Sequence, residues 1–237
     1  MRSLIFLLLL SFNASAALYD RGNGLIYDDV LDITWLQDAN YSINWTSPLS
    51  QGIGWLQWEY ANIWADSLIY MGYSDWRLPK TMPIDGITSD DFNISNIGTE
   101  DSGHNVSAPG TEFSGSTASE MAHLFYNTLG NEGRCDVSTS SVSICNWNSS
   151  GGLTNTGPFF NITQGGYWSS TESAVDSVNA WNFTFYNGTQ HLNNKNINLY
   201  AWAVHDGDIG NQVPLPAGIY LFLSGLVGLG LMRGRNA

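Results

Sequence analysis

The sequence predicts an α+β domain that combines short strands, two helices and long loops. Apolar and polar residues alternate near the start of the chain and again in its last third, as they do in half-buried strands. Two other stretches place apolar residues three and four positions apart, which is the spacing of helices packed on a core. The chain has 237 residues, a length that allows one substantial domain or two small ones.

The first strands are predicted close to the start of the domain. Residues 25–27 and 30–36 are apolar segments separated by Asp28 and Asp29. This arrangement predicts two short strands joined by an acidic turn. Aspartates beside turns usually bond to the local backbone, so we expect a structural role for these two.

The last third of the chain predicts further strands. Residues 165–172 begin one of them. The next strand has aromatic residues at alternate positions: Trp181, Phe183 and Phe185. Asn187-Gly188 follows, which is the signal of a type I′ hairpin turn. Alternation returns at residues 200–204, so we expect one face of this sheet to be aromatic and buried.

The clearest helix is predicted at residues 56–71. Its apolar residues share one face: Tyr60, Ala61, Trp64, Ala65, Leu68 and Met71. Gly72 follows as a C-terminal cap. A second helix is predicted after residues 117–120, where Thr-Ala-Ser-Glu has the form of a capping box. The apolar residues after this box again have helical spacing, and we expect His123 to be packed among them or at the surface.

The charge of the chain excludes one class of partner. The formal net charge is −13, and only five of the eight basic residues lie between residues 17 and 211, beside all 21 acids. Such a domain will not neutralise phosphate backbones, so we expect no nucleic-acid partner. An acidic surface suits divalent cations, and it equally suits solubility outside the cell.

Two pairs of aspartates are candidate metal ligands. Asp90 and Asp91 lie in the loop at residues 82–115, which is polar, glycine-rich and the most acidic part of the chain. Asp206 and Asp208 follow the last predicted strand. Calcium is the cation that such a site would bind, although no Asp-x-Asp-x-Asp-Gly loop is present.

Residues 1–16 predict a secretory signal peptide. Arg2 precedes an apolar core at residues 4–10, and Ala14 and Ala16 form a small-x-small cleavage site. We therefore expect export through the inner membrane and a mature chain that begins near Ala17.

Residues 212–237 predict a sorting signal. Val213, Pro214, Leu215, Pro216 and Ala217 precede an apolar run and two arginines. The stretch resembles a PEP-CTERM-type signal, which implies cutting by an exosortase and display on the surface of a Gram-negative bacterium, or release outside it. The run is short for a membrane span, but its large apolar side chains would let it enter the inner membrane before processing. A GPI signal and a plain C-terminal anchor are the alternatives.

The two cysteines, Cys135 and Cys145, predict one small disulfide loop in an exported protein. A loop of this size stabilises a fold by about 2–3 kcal/mol in the chain-entropy model. The competing interpretation is a two-cysteine metal site, and no histidine lies near either residue in the sequence.

Candidate ligand-binding residues lie in two aromatic stretches. Arg77 is flanked by Trp76 and Leu78, so we expect it to be half buried and paired with a carboxylate, because a buried arginine without a partner costs several kcal/mol. The alternative is that Trp76 and Arg77 anchor a carboxylate or sugar ligand. Trp168 and Glu172 are the candidates in the second stretch.

Five motifs carry a resemblance to a known family. They are Asp-Ile-Thr-Trp-Leu-Gln-Asp-Ala-Asn (32–40), Gly-Tyr-Ser-Asp-Trp-Arg-Leu-Pro (72–79), Ser-Glu-Met-Ala-His-Leu (119–124), Tyr-Trp-Ser-Ser-Thr-Glu (167–172) and Ala-Trp-Ala-Val (201–204). With them, residues 25–209 resemble the Lcl C-terminal domain family. The resemblance implies a C-type-lectin-like fold, similar to that of the formylglycine-generating enzymes, with a twisted, mainly antiparallel sheet, two helices and long loops. His205 departs from the arginine expected after Ala-Trp-Ala-Val.

These features predict an exported, non-enzymatic binding protein of the cell envelope or biofilm matrix, with polysaccharide as the expected ligand. A structural matrix protein without a small ligand is one alternative. A formylglycine-generating-like enzyme is another, but its chemistry needs cysteines deep in a site, and this cysteine pair lies in a polar loop. The sequence also has no Ser-His-Asp order, His-Glu-x-x-His motif or glycine-rich phosphate loop.

Overall fold

The computed structural model describes residues 17–47, 52, 54–86 and 93–210, which form a mixed α+β fold of two sheets and two short helices. The predicted signal peptide with Ala14 and Ala16 lies outside the described residues. So does the predicted sorting signal with its Val213, Pro214, Pro216 and Ala217. No helix within the described residues is long and apolar enough to span a membrane.

The smaller sheet contains the predicted N-terminal hairpin. Its strands are β1 (Leu18–Gly22), β2 (Leu25–Asp28), β3 (Ile33–Leu36) and β11 (Val204–Asp206), in that spatial order and all antiparallel. The acidic turn is confirmed, and the Asp28 carboxylate accepts hydrogen bonds from the backbone N–H groups of Val30 and Leu31, both at 3.1 Å.

The larger sheet has seven strands in the described residues. They are β4 (Trp55–Leu56), β5 (Ile94–Ser95), β6 (Ser102–His104), β7 (Gly166–Glu172), β8 (Asn179–Thr184), β9 (Thr189–Asn194) and β10 (Leu199–Tyr200). Their spatial order is β4-β10-β7-β8-β9-β6-β5. Pairing is antiparallel except between β10 and β7 and between β5 and β6. Together, the two sheets are therefore mainly antiparallel.

The chain crosses from one sheet to the other at residues 201–203. The sequence predicts one strand over residues 200–204, whereas the structure ends β10 at Tyr200 and begins β11 at Val204. Trp202 lies in this crossing, fully buried, and its indole N–H donates to the carbonyl of Leu36 at 2.6 Å. Its ring packs 4.8 Å from that of Trp35 in the smaller sheet. The crossing therefore forms a shared aromatic core for both sheets.

The first helix is shorter than its periodicity predicts. It is α1 (Trp58–Asp66), with Ala61, Trp64 and Ala65 buried. At its start, Leu56 pairs with Leu199 in β4 and β10 instead of entering the helix. After its end, the backbones of Tyr70 and Tyr73 exchange hydrogen bonds of 2.9 and 3.0 Å across a turn. The predicted helix at residues 56–71 is therefore wrong at both ends, because strand pairing with β10 replaces the helical hydrogen bonds at its start and a local turn replaces them at its end.

The N-cap of the second helix lies two residues after Thr117, the N-cap that the predicted capping box implies. It is α2 (Glu120–His123), and it continues as a π-helical segment (Leu124–Thr128). The cap is Ser119, whose hydroxyl accepts a hydrogen bond from the backbone N–H of Ala122 at 3.3 Å. The Glu120 carboxylate therefore has no capping-box role, and it binds a side chain from another part of the chain.

The hairpin between β8 and β9 also differs from its prediction. Thr184 pairs with Thr189, so four residues connect the strands in place of the two of a type I′ turn. Phe185, the first of the four, is fully buried, and its backbone N–H donates to Gly165 at 3.1 Å. Because the Phe185 ring is buried in the core, the strand pairing stops at Thr184 and the connecting loop is longer than a two-residue turn. The alternate aromatic residues of β8 are buried as predicted.

Candidate functional site

Arg77 joins three segments that are distant in the sequence. Its backbone exchanges hydrogen bonds of 2.9 and 2.8 Å with Val204 of β11. Its Nη1 and Nη2 atoms each lie 2.8 Å from a carboxylate oxygen of Glu120, and its Nε donates to Asp206 at 2.9 Å. The expected half-buried arginine with a carboxylate partner is confirmed, since only 18% of its side chain is exposed.

The charges at this junction reinforce one another. Burial alone would lower the pKa of Arg77, but hydrogen bonds to Glu120 and Asp206 outweigh it and the pKa is raised. The hydrogen bond from Arg77 lowers the pKa of Asp206. The Glu120 carboxylate also accepts the backbone N–H of Lys80 at 2.7 Å. The guanidinium of Arg77 is therefore held by groups of the chain itself, which is the arrangement of a structural ion pair.

The two tryptophans nominated as ligand-binding residues lie in the core. Trp76 is 2% exposed, and Trp168 is fully buried. The indole N–H of Trp76 donates to Tyr73 at 3.1 Å, and that of Trp168 donates to Leu56 at 2.8 Å. Neither ring has a face open to a sugar, so the assignment of ligand stacking to Trp76 and Trp168 is corrected to a packing role.

Glu172 and Asp208, two further nominated residues, bind basic side chains of the domain. Glu172 contacts the ammonium of Lys195, which lies 4.4 Å from the ring centroid of Trp58. Asp208 accepts two hydrogen bonds of 2.8 Å from the guanidinium of Arg21. Apart from Arg77 and Asp206, the candidate residues that the structure describes are not joined into one site.

The described residues contain no group of three or more His, Cys, Asp or Glu side chains placed to hold a metal ion. Asp206 and Asp208 each bind an arginine instead of facing a common centre. Asp90 and Asp91 lie outside the described residues. Calcium binding at either pair therefore stays a prediction, and the geometry of Asp206 and Asp208 does not favour it.

A cleft of about 710 Å³ lies beside the disulfide. Buried residues at this cleft include Asn105, whose amide donates to the carbonyl of Cys135 at 2.8 Å, and Tyr126, whose hydroxyl donates to the carbonyl of Gly188 at 2.5 Å. Its polar residues carry carboxylates, amides and hydroxyls: Asn105, Tyr126, Asn131, Glu132, Asp136, Ser138 and Asn148. Such a lining offers several donors and acceptors within one concave surface.

The carboxylates of the cleft are oriented by neighbouring groups. Glu132 accepts a hydrogen bond of 3.0 Å from the side-chain amide of Asn148. Asp136 accepts bonds of 2.7 and 2.8 Å from the hydroxyl and backbone N–H of Ser138, and these bonds lower its pKa. Asp136 therefore remains an anionic acceptor at neutral pH.

Trp147 is the most exposed tryptophan among the described residues, with 57% of its surface open. It neighbours Asn148, and its backbone bridges to Cys135; both of these residues line the cleft. The guanidinium carbon of Arg134 lies 5.4 Å from the ring centroid of Trp147 and 4.9 Å from that of Tyr186. This stacking holds an aromatic surface next to the cleft.

Cys135 and Cys145 form the predicted disulfide, with their Cα atoms 5.0 Å apart. Cys135 is buried and lines the cleft together with residues 136–138, whereas residues 139–144 are mostly exposed. The cross-link therefore fixes the segment that carries Asp136 and Ser138 to the strand-like segment that carries Trp147.

Comparisons with protein-family models, with curated proteins and with solved structures find no match to this chain. Trp147 is not among the residues predicted from the sequence, because it belongs to none of the five motifs. The signal in the sequence is that Trp147 is followed directly by Asn-Ser-Ser-Gly-Gly at residues 148–152, a polar stretch that is typical of a surface loop.

Proposed function

We propose that this chain is an exported, surface-sorted, non-enzymatic binding protein of the cell envelope or exopolysaccharide matrix, with a glycan as its ligand. The observation that carries the proposal is the cleft beside the disulfide together with the exposed ring of Trp147. Sugars are bound by paired polar groups that reach their hydroxyls and by aromatic rings that cover their C–H faces. The cleft supplies the first and Trp147 supplies the second.

The polar groups of the cleft are fixed in place before a ligand binds. Tyr126 and Asn105, two of its buried residues, are fixed by hydrogen bonds, and Glu132 and Asp136 have their carboxylates aligned before any ligand arrives. Preorganised groups lose little freedom on binding, which favours affinity in a shallow polar site.

The predicted processing signals support the cellular part of the proposal. A signal peptide at residues 1–16 and a PEP-CTERM-type signal at residues 212–237 would carry the domain across the inner membrane to an exosortase. The resemblance to the Lcl C-terminal domain family supports a C-type-lectin-like arrangement within the α+β fold. A disulfide also suits an oxidising compartment outside the cytoplasm.

The test is a thermal melt of residues 17–211 against a panel of bacterial polysaccharides, with EDTA and with calcium. A ligand at a hundred times its dissociation constant adds about 2.7 kcal/mol, which raises the midpoint by several degrees in a domain of this size. Trp147→Ala is expected to weaken the binding of an active polysaccharide by roughly tenfold or more.

Trp55→Ala is the matched control. Trp55 is 41% exposed and lies on β4, at the edge of the larger sheet opposite to β5. Its removal should leave binding unchanged. If no polysaccharide shifts the melt, the glycan proposal fails and a structural matrix role without a small ligand takes its place. If Trp147→Ala and Trp55→Ala weaken polysaccharide binding equally, the cleft is not the binding site.

A further inference from the structure

The first described residue, Ala17, is held in place by the turn after β2. Its backbone N–H donates to the Oδ1 atom of Asp29 at 2.9 Å, and its carbonyl accepts from the backbone N–H of Asp29 at 3.3 Å. The hydroxyl of Tyr19 adds a contact of 3.4 Å to the other oxygen of the same carboxylate. A carboxylate is thus aligned on the nitrogen of the residue that follows the predicted cleavage site.

We propose that Asp29 is the binding site for the α-amino group that export creates at Ala17, so that the processed chain closes its first hairpin with an ion pair. The inference rests on the export part of the proposed function and not on the ligand. Hydrolysis of the Ala16–Ala17 peptide bond by a signal peptidase consumes one water. It leaves a carboxylate on Ala16 and an amino group on Ala17, which takes up a proton at neutral pH.

Cleavage changes the chemical form of the Ala17 nitrogen, while the hydrogen bonds between Ala17 and Asp29 still hold it in place. In the uncut chain the nitrogen is a neutral peptide N–H with a single proton to donate. In the processed chain it is an ammonium with three protons and a full charge, and hydrogen bonds to an ionised partner are shorter and stronger. The bond between Asp29 N–H and the Ala17 carbonyl does not depend on cleavage, so it keeps the new terminus beside the carboxylate.

No other cation competes for Asp29 within the described residues. Arg21, on β1, forms an ion pair with Asp208 instead. Asp28, which pairs with Leu18, is buried and bonded to the local backbone. Two tyrosines face Asp29: Tyr19 is in contact with its carboxylate, and Tyr27 is close enough to be affected by its charge. The new amino group therefore meets one exposed carboxylate and one hydroxyl.

The test measures the pKa of the α-amino group by its acylation rate over a pH series, followed by mass spectrometry. The protein is the full chain from Ala17 to Ala237, purified in detergent. We expect this pKa to lie about half a unit above the ordinary 7.7–8.0, which is the shift that an exposed ion pair produces. A raised amine pKa means that the stabilisation is present below the ordinary pKa and is lost as the pH rises through the folded value.

Asp29→Asn keeps an acceptor oxygen and removes the charge, so it should return the amine to its ordinary pKa. Asp20→Asn, on β1, is the matched control and should change nothing. One extra glycine before Ala17 should also abolish the shift, which keeps the test valid if Asp29→Asn does not fold. Equal pKa values in the wild type and the glycine-extended chain would overturn the inference.

A second experiment measures the intact mass of the exported protein, purified from the cells that naturally produce it. Its intact mass should correspond to a chain that begins at Ala17, and a chain that begins elsewhere would overturn the inference for the natural protein. Neither outcome depends on polysaccharide binding, so failure here is distinct from failure of the glycan proposal.

Discussion

Glu120 and Arg77 form a two-pronged ion pair, with both guanidinium nitrogens Nη1 and Nη2 at 2.8 Å from the carboxylate oxygens. Only 10% of the Glu120 side chain and 18% of the Arg77 side chain are exposed. The pair connects the first residue of α2 to the segment that bridges to β11. Two elements far apart in the sequence are therefore joined at one buried point. Removal of Arg77 would leave the Glu120 carboxylate without its ionised partner, and removal of Glu120 would leave Arg77 with Asp206 alone.

Glu120→Gln should destabilise the domain by about 2–4 kcal/mol, because a mostly buried guanidinium would keep only Asp206 as an ionised partner. Urea unfolding at neutral pH measures the change. Glu112→Gln is the control, since Glu112 is exposed, and it should change the unfolding free energy by less than about 0.5 kcal/mol. Similar losses in both variants would show that the pair is not a structural junction.

The features that the sequence predicted well depend on local signals. The N-terminal hairpin follows from two apolar segments around Asp28 and Asp29, and the disulfide follows from two cysteines ten residues apart in a chain for which the sequence predicts export. In each of these features the interacting groups lie close together in the sequence. Local spacing therefore contains most of the information that they need.

The features that the sequence did not predict depend on distant partners. Glu120 has the position of a capping residue in the sequence, yet its carboxylate binds Arg77, 43 positions away. Trp76 and Trp168 lie in the aromatic stretches that the sequence offers for ligand binding, yet both pack in the core. Residue type shows that a tryptophan is large and apolar, but only the path of the other strands decides which of its faces is covered.

Removal of the disulfide with Cys135→Ser and Cys145→Ser together should cost about 2–3 kcal/mol, since the cross-link limits the freedom of a short loop in the unfolded chain. Thermal melts with and without a reductant measure this loss. The reductant should lower the midpoint of the wild type and leave that of the double variant unchanged. A wild-type melt that does not respond to reduction would contradict the prediction.

His104 should make the domain less stable in acid. Burial is the main cause that lowers its pKa to about 4, with repulsion from His191 as the second cause. Its Nδ1 atom lies 3.1 Å from the side-chain oxygen of Asn96, and its Nε2 atom has no hydrogen-bond partner among the described residues. Protonation would therefore place a charge in a site that does not stabilise it.

The lowered pKa of His104 makes the folded domain less stable as the pH falls. Between pH 6.5 and pH 4 the unfolded chain binds a proton that the folded chain does not, so stability is complete above pH 6.5 and falls as the pH drops towards 4. The wild type should lose about 1–2 kcal/mol between pH 7 and pH 4.5 through this residue. Urea unfolding at both pH values should show a smaller loss in His104→Gln, and an equal loss would exclude His104 as the cause.

Gly103 should tolerate no side chain. It lies in β6 with φ at +122°, and a Cβ atom there would be 1.9 Å from the carbonyl oxygen of Ser95 in β5, its partner in the parallel pairing. Both the conformation and the overlap are unfavourable, so Gly103→Ala should cost about 3 kcal/mol or more in urea unfolding.

Gly22→Ala separates these two causes. Gly22 also has a positive φ, at +76°, but nothing lies within 4 Å of its Cβ position, so the variant should lose only about 1 kcal/mol from backbone strain. The difference between the two variants measures how closely the backbones of β5 and β6 approach. If Gly103→Ala costs no more than Gly22→Ala, the two strands do not pair as closely as the structure places them, and the edge of the larger sheet ends at β6.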